Sequence, residues 1–354
     1  MRNFNNCSLL RFAKGQGDKE RRHLAPFADN FLVSASAPGE IVVRVQRAGI
    51  CGSDMHILHG SNPFAVYPRI IGHEFAGVVE AIGTGVTSVA EGDRVVFDPV
   101  VSCCTCYPCR AGRTNVCAKL QVFGVHRDGG FRSHIAVPAA NAVKLPPEMD
   151  FGLATLAEPF SIAANVLDRA GCGPLDTALI YGAGTVGITV VQVAKMLCAR
   201  GIVADIDAER LERAKDFGAD HVIHSATMSV ADGVKGETDG LGPTLVIDGA
   251  GIPALLDEAC KVVSPAGSIG LLGFSAAPCN ISQQEIVRKE LTLVGSRLNR
   301  GMLPRVVQWL ADGSLKPEAM ITQVFDAREA PVAFALIEKE PQNTLKVQLD
   351  FSQS

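Results

Sequence analysis

Tryptophan and tyrosine are scarce: one Trp and three Tyr stand among 354 residues. Recognition surfaces lean on Tyr and Trp, so this composition does not suit a binding module built on aromatic anchors. Positive charge is not in excess either. The 33 Lys and Arg are outnumbered by 37 Asp and Glu, for a formal net charge of −4, and the basic face of a nucleic-acid binder is absent. No apolar run approaches the roughly 20 residues of a membrane span. Residues 1–30, MRNFNNCSLLRFAKGQGDKERRHLAPFADN, hold no hydrophobic stretch of a secretory signal. Arg2, Arg11, Arg21 and Arg22 resemble a transit peptide, but Asp18, Glu20 and Asp29 do not belong in one. The chain is therefore expected in the cytoplasm, with its eleven cysteines reduced.

Glycine, by contrast, is plentiful, at 35 residues, and 47% of the chain is hydrophobic. Length and composition predict two domains with sizeable cores in a tightly turned α/β enzyme.

Five cysteines crowd into 102-SCCTCYPCRAGRTNVC-117. Cys103, Cys106, Cys109 and Cys117 are spaced x2, x2, x7. Two-residue gaps turn neighbouring sulfurs onto one centre, and the return through Gly112 supplies a fourth corner. Four thiolates close the shell of a structural Zn2+. An iron–sulfur cluster is the alternative, because it too takes four thiolates. Cys104 falls out of this register.

A second set lies upstream. Cys51, Ser53 and His56 fall in 49-GICGSDMHILHG-60, and His73 and Glu74 in 71-IGHEFAGVVEAIG-83. Cys, His and a carboxylate form the mixed ligand set of a catalytic zinc with one position open. Individually, Cys51 reads as a small core residue and His73–Glu74 as a surface pair; the combination favours the metal.

The run 177-TALIYGAGTVGITVVQVAK-195 reads as strand, glycine turn and amphipathic helix, with Gly182-x-Gly184-x-x-Gly187 in the turn. That order is the dinucleotide fingerprint, with phosphates on the helix N-terminus. Asp205 follows at the end of 201-GIVADIDAER-210, placed to bind an adenosine ribose and to repel a 2′-phosphate, so NAD is expected rather than NADP. Asp207 suits the cap of the next helix. The alternation continues through 244-TLVIDGAG-251, 254-ALLDEACKVV-263 and 268-SIGLLGF-274, predicting a doubly wound parallel sheet.

Two zinc sites followed by a nucleotide half resemble the zinc-containing medium-chain dehydrogenases. The run Gly72-His73-Glu74-x2-Gly77-x5-Gly83-x2-Val86 looks like that family's zinc signature, and the cysteine loop looks like its structural lobe. The likeness covers roughly residues 38 to 354. It is strongest with the sorbitol and threonine dehydrogenase branch, because 156-LAEPFSIAANV-166 has Glu158 where liver-type enzymes place a cysteine. The runs 122-VFGVHRDGGF-131 and 294-VGSRLN-299 look closer still to bacterial sugar-acid dehydrogenases of the L-gulonate, L-galactonate and starvation-sensing types.

The resemblance implies a GroES-like, mostly β catalytic domain at 1–158 and 291–354, with the cysteine lobe at 102–118 and a Rossmann domain at 159–290. It implies two zincs per chain and NAD. Cys51 and His73 would ligate the catalytic zinc, and Glu74 and Glu158 would share its carboxylate position. Ser53 would take the alcohol proton and His56 would pass it on. Val186, Asp205, Arg210, Leu272, Gly273, Phe274, Ser296 and Arg297 match the family's cofactor contacts. Relatives of this kind are homodimers or homotetramers.

For substrate, His126, Arg127 and Arg297 lie in segments expected to line the cleft, and an arginine fork suits a carboxylate. A sugar acid oxidised at a secondary hydroxyl is the expectation, with a neutral polyol or amino alcohol as the rival. A catalytically silent NAD- and zinc-binding protein would not need the intact set of Cys51, Ser53, His56, His73, Glu74 and Glu158, and a zinc-free quinone reductase would not need the four-cysteine loop or Cys51. Residues 1–37 show no alternating strand of the kind the family begins with, which reads as a divergent extension or a mis-set start. Cys7, Cys172, Cys198, Cys260 and Cys279 are expected to be small buried or unreactive thiols. His23, His59, His134, His221 and His224 lack spacing partners and are given no role.

Overall fold

The structure is a computed structural model that describes the backbone of residues 8–13 and 23–28 and the whole of residues 37–353. Cys7, Arg2, Asp18, Glu20, Arg21, Arg22 and Asp29 lie outside the described residues. The chain divides into two compact units, 1–158 with 303–354, and 159–302.

Alternating apolar residues build the first unit's main sheet. Its spatial order is Ala142–Lys144, Arg94–Phe97, Glu74–Ile82, Glu40–Ile50, Lys346–Asp350 and Ile321–Asp326, and His134–Pro138 also pairs with Glu40–Ile50. All these pairs are antiparallel except Lys346–Asp350 with Ile321–Asp326, which are parallel and joined through the helix Ala330–Lys339. The core lies on Ile41, Val43, Val45, Phe75, Phe97, Phe131 and Phe334, with Phe75 stacked on Phe97 at a centroid distance of 5.0 Å. The strand Glu40–Ile50 is thereby fixed on both edges, and it delivers Cys51 at its end.

Against the expectation of no early strand, Ser8–Ala13 and His23–Ala28 pair antiparallel, and the first also pairs with Arg69–Ile70. Each segment is only six residues long and set among polar residues, too short for its periodicity to stand out.

The second unit is a six-stranded, all-parallel sheet. Its order is His221–His224, Arg200–Asp205, Thr177–Tyr181, Leu245–Asp248, Ser268–Leu271 and Thr292–Gly295. In chain order this is 3-2-1-4-5-6, the dinucleotide-binding arrangement, with the order reversing beside Thr177–Tyr181. Val, Ile, Leu and Ala fill these strands because helices cover both faces. The unit runs to Met302, past the return expected at 291, because Thr292–Gly295 is the sixth strand of this sheet.

Candidate active site

The metal candidates separate into two groups among the described residues. Cys103, Cys106, Cys109 and Cys117 bring their sulfurs within 4.8 Å of one another. Cys106 Sγ lies 3.4 Å from Cys109 Sγ and 3.7 Å from Cys117 Sγ. A tetrahedron with ligand bonds of about 2.3 Å has edges of about 3.8 Å, so these sulfurs are spaced for a shared ion. They are far beyond the ~2.05 Å of a disulfide. Backbone amides of Cys103 and Lys119 donate to Cys117 Sγ, each at 3.2 Å, and the amide of Ala118 donates to Cys106 Sγ at 3.4 Å, as thiolates require. Hydrogen bonds from Thr105 and neighbouring amides hold Cys103 down to about 5. Partial burial and then the neighbouring sulfurs push Cys109 up to about 12. A cation coordinated by these sulfurs would hold them as thiolates. Cys104 is exposed and outside the group.

Cys51, His73 and Glu74 form the second group, also within 4.8 Å. Cys51 caps the helix Gly52–His59, His73 sits before the strand Glu74–Ile82, and Glu74 opens that strand. Ser53 Oγ lies 3.5 Å from His73 Nε2. His56 is exposed, with Nδ1 3.1 Å from Ser61 Oγ. His73 and Glu74 are buried, so the surface-pair reading fails. Glu158 is buried but is not one of the three clustered ligands. Burial, with Glu74 adding repulsion, pushes its carboxyl up to about 7 against the pull of His73 and Lys346. Burial pulls His73 down, but Asp54 and Cys51 together hold it well above the usual imidazole range.

Four further residues shape this site and were not singled out from the sequence. Asp54 is fully buried. Its Oδ2 accepts from Cys51 N at 2.9 Å, its Oδ1 accepts from Gly72 N at 3.3 Å, and Oδ1 lies 3.6 Å from His73 Nδ1. That places a carboxylate behind the imidazole, as ligating histidines commonly have. Lys346 Nζ lies 2.7 Å from each oxygen of Glu74. Gln348, on the same face of that strand, donates to Gly152 O at 2.8 Å and to Thr155 Oγ1 at 2.9 Å, fixing the turn that leads to Glu158. Gly49 leaves room for Glu74: a Cβ there would lie 2.2 Å from Glu74 Oε2.

In the second unit, every residue expected to contact the cofactor lies at or beyond the carboxyl end of a strand or in the helix that follows, where open α/β sheets bind ligands. Gly182 has φ 95°, and a Cβ on Gly187 would lie 1.8 Å from Gly182 O, whereas one on Gly184 meets nothing. Gly184 and Val186 thus start the helix Thr185–Met196 with its backbone open to a phosphate. Asp205 accepts from Ala183 N at 2.7 Å and from Asp207 N at 2.9 Å. Asp207 caps the next helix, which carries Arg210. Amides of Leu272 and Gly273 donate to Asp248 O, and Phe274 is exposed. Asn165, also unforeseen, donates to Ser296 Oγ at 2.9 Å and to Leu298 O at 3.0 Å, holding the turn that bears the half-buried Arg297.

His126 and Arg127 are engaged within their own loop. Val122 N donates to His126 Nδ1 at 3.1 Å, and the Arg127 guanidinium lies 5.0 Å from the centroid of Phe123. Cys260 is buried, but Cys198 and Cys279 are exposed, so the buried alternative fails for those two. Burial pushes Cys172 up to about 12. His134, given no role, is buried with Nε2 2.9 Å from Glu80 Oε2. No described helix is long and apolar enough to cross a membrane.

Comparison with known proteins is consistent with this geometry. The model of the alcohol dehydrogenase GroES-like domain matches residues 37–147, and that of the zinc-binding dehydrogenase family matches residues 185–312. The starvation-sensing protein RspB of Escherichia coli K12 is 47% identical, over 91% of this chain and 95% of its own length. L-Galactonate-5-dehydrogenase of the same organism is 31% identical, over 80% of this chain and 83% of its own. A crystal structure of RspB from E. coli CFT073 with NADH superposes with a TM-score of 0.89 at 43% identity, covering 98% of this chain and 99% of that one.

Proposed function

The chain belongs to the zinc-type medium-chain alcohol dehydrogenases, and from that premise we propose that it oxidises a secondary alcohol of a sugar acid or polyol with zinc and NAD. The observation that carries this reading is the convergence of Cys51, His73 and Glu74 within 4.8 Å, with the Ser53 hydroxyl 3.5 Å from His73. Cys51, His73 and Glu74 would hold a zinc ion that supplies Lewis-acid polarisation, and the glycine turn with Asp205 would hold NAD as the hydride acceptor. The chain itself handles the proton. Ser53 takes it on Oγ as it gives up its own, and His56, exposed on the same helix, passes it to solvent. Asp54 orients the imidazole from behind, and the anchored Asp205 carboxylate disfavours a 2′-phosphate. The four-cysteine loop holds the second zinc, a structural one, and its free thiols suit a cytoplasmic location. Assembly as a homodimer or homotetramer belongs to the same proposal.

The similarity to a galactonate dehydrogenase supports a sugar acid. The carboxylate reading sets the Arg297 guanidinium against the substrate's carboxyl group. NADH formation across a panel of hexonates and polyols, with and without a chelator, tests the reaction; absence of chelator-sensitive turnover on every member would refute it. Arg297→Ala tests the substrate class. Losing a charge-assisted hydrogen bond costs about 1.5–3 kcal/mol, so KM for a hexonate should rise about ten- to a hundredfold while KM for a polyol of equal length stays near its original value. Equal losses on both would favour the polyol.

A further inference from the structure

Lys346 is 2% exposed, and a buried ammonium requires an opposite charge. Its Nζ meets Glu74 Oε1 and Oε2, each at 2.7 Å, and points its remaining donor toward Ile50 O at 3.4 Å. Glu74 is itself only 1% exposed. A carboxylate has about four lone-pair positions, two on each oxygen, and Lys346 engages one on each. Gly49 lies against Oε2, where even a methyl group would collide at 2.2 Å. Glu74 is therefore held in one orientation while its oxygens still face Cys51 and His73. Glu158 stands by as a second carboxylate. A thiolate, an imidazole and two unrestrained carboxylates would fill a tetrahedral shell and make a closed site, whereas catalysis needs a vacant position.

We infer that Lys346 is a positioning residue that restrains Glu74 from closing on the metal as a full ligand and so keeps one coordination position open for the alcohol. The same ammonium offsets the second carboxylate's charge in the buried site. This inference rests on the metal-site reading above, and its test needs no turnover.

The protein is loaded with Co2+ in place of zinc, and its visible d–d spectrum is followed during titration with azide. Wild type is expected to bind azide with a spectral shift. Lys346→Met should show an altered starting spectrum, at least tenfold weaker azide binding and slower loss of metal to a chelator. Lys346→Arg should restore the wild-type response, and Lys346→Met combined with Glu74→Gln should reopen the site to azide. If Lys346→Met does not fold, Gly49→Ala probes the same contact by pressing on Glu74 Oε2, and an unchanged spectrum and azide affinity there overturn the inference. Azide binding by Lys346→Met equal to wild type does so as well. Wild type that takes up no cobalt at Cys51 and His73 would instead sink the metal-site reading itself.

Discussion

Glu158 shows how much one buried side chain contributes to the site's pH behaviour. Its carboxyl is raised from 4.5 to about 7, first by burial. The folded chain thus keeps a proton that the unfolded chain releases, and stability falls as pH rises from about 4.5 to about 7. The loss is on the order of 3 kcal/mol. Glu158→Gln removes it. In metal-stripped protein the variant should melt several degrees above wild type at pH 8 and show no such advantage at pH 4. The same Tm difference at both pH values would contradict the assignment. Ser53 is tested by kinetics: Ser53→Ala should lower kcat/KM by about 10²–10⁴-fold with the zinc content unchanged, and parallel loss of zinc would make the residue structural. Cys51, His73 and Glu74 were legible in the sequence because ligand types recur near glycines. Lys346 and Gln348 were not. In KVQLD they alternate with Val and Leu, which reads as a solvated face, yet both faces of that strand are buried. Asp54 reads as an ordinary helix-start acid until the fold sets His73 beside it.

At the level of elements, the glycine turn separates packing from binding. Gly187→Ala drives a methyl onto Gly182 O, so the Rossmann unit should lose several degrees of Tm along with NADH binding. Gly184→Ala meets no neighbour. It should fold with unchanged Tm and bind NADH at least several-fold more weakly, read by the fluorescence of the bound cofactor. A normal NADH affinity in Gly184→Ala would place the phosphates elsewhere. Four strands of the parallel sheet, Thr177–Tyr181, Arg200–Asp205, Leu245–Asp248 and Ser268–Leu271, were readable as apolar runs ending at or near glycine or aspartate, whereas the short His221–His224 was not. Where the sheet stops was less readable, because Thr292–Gly295 is an edge strand, half exposed, with little hydrophobic signal. The hairpin of Ser8–Ala13 and His23–Ala28 was missed for its shortness, since six-residue segments carry three alternations at most.

At the scale of the whole molecule, two metals in two kinds of shell are proposed. In the proposed reading the cysteine lobe would be a closed shell that contributes to folding, and Cys51, His73 and Glu74, with Glu158 nearby, an open one that contributes to chemistry. The central claim is that the two are separable, and the most direct measurement counts zinc per chain by mass spectrometry in wild type and in Cys51→Ser, alongside NADH formation. Two zincs are expected in wild type and one in Cys51→Ser, with the fold retained and turnover lost. One zinc in wild type, or a Cys51→Ser variant that keeps both its zincs and its turnover, would contradict it.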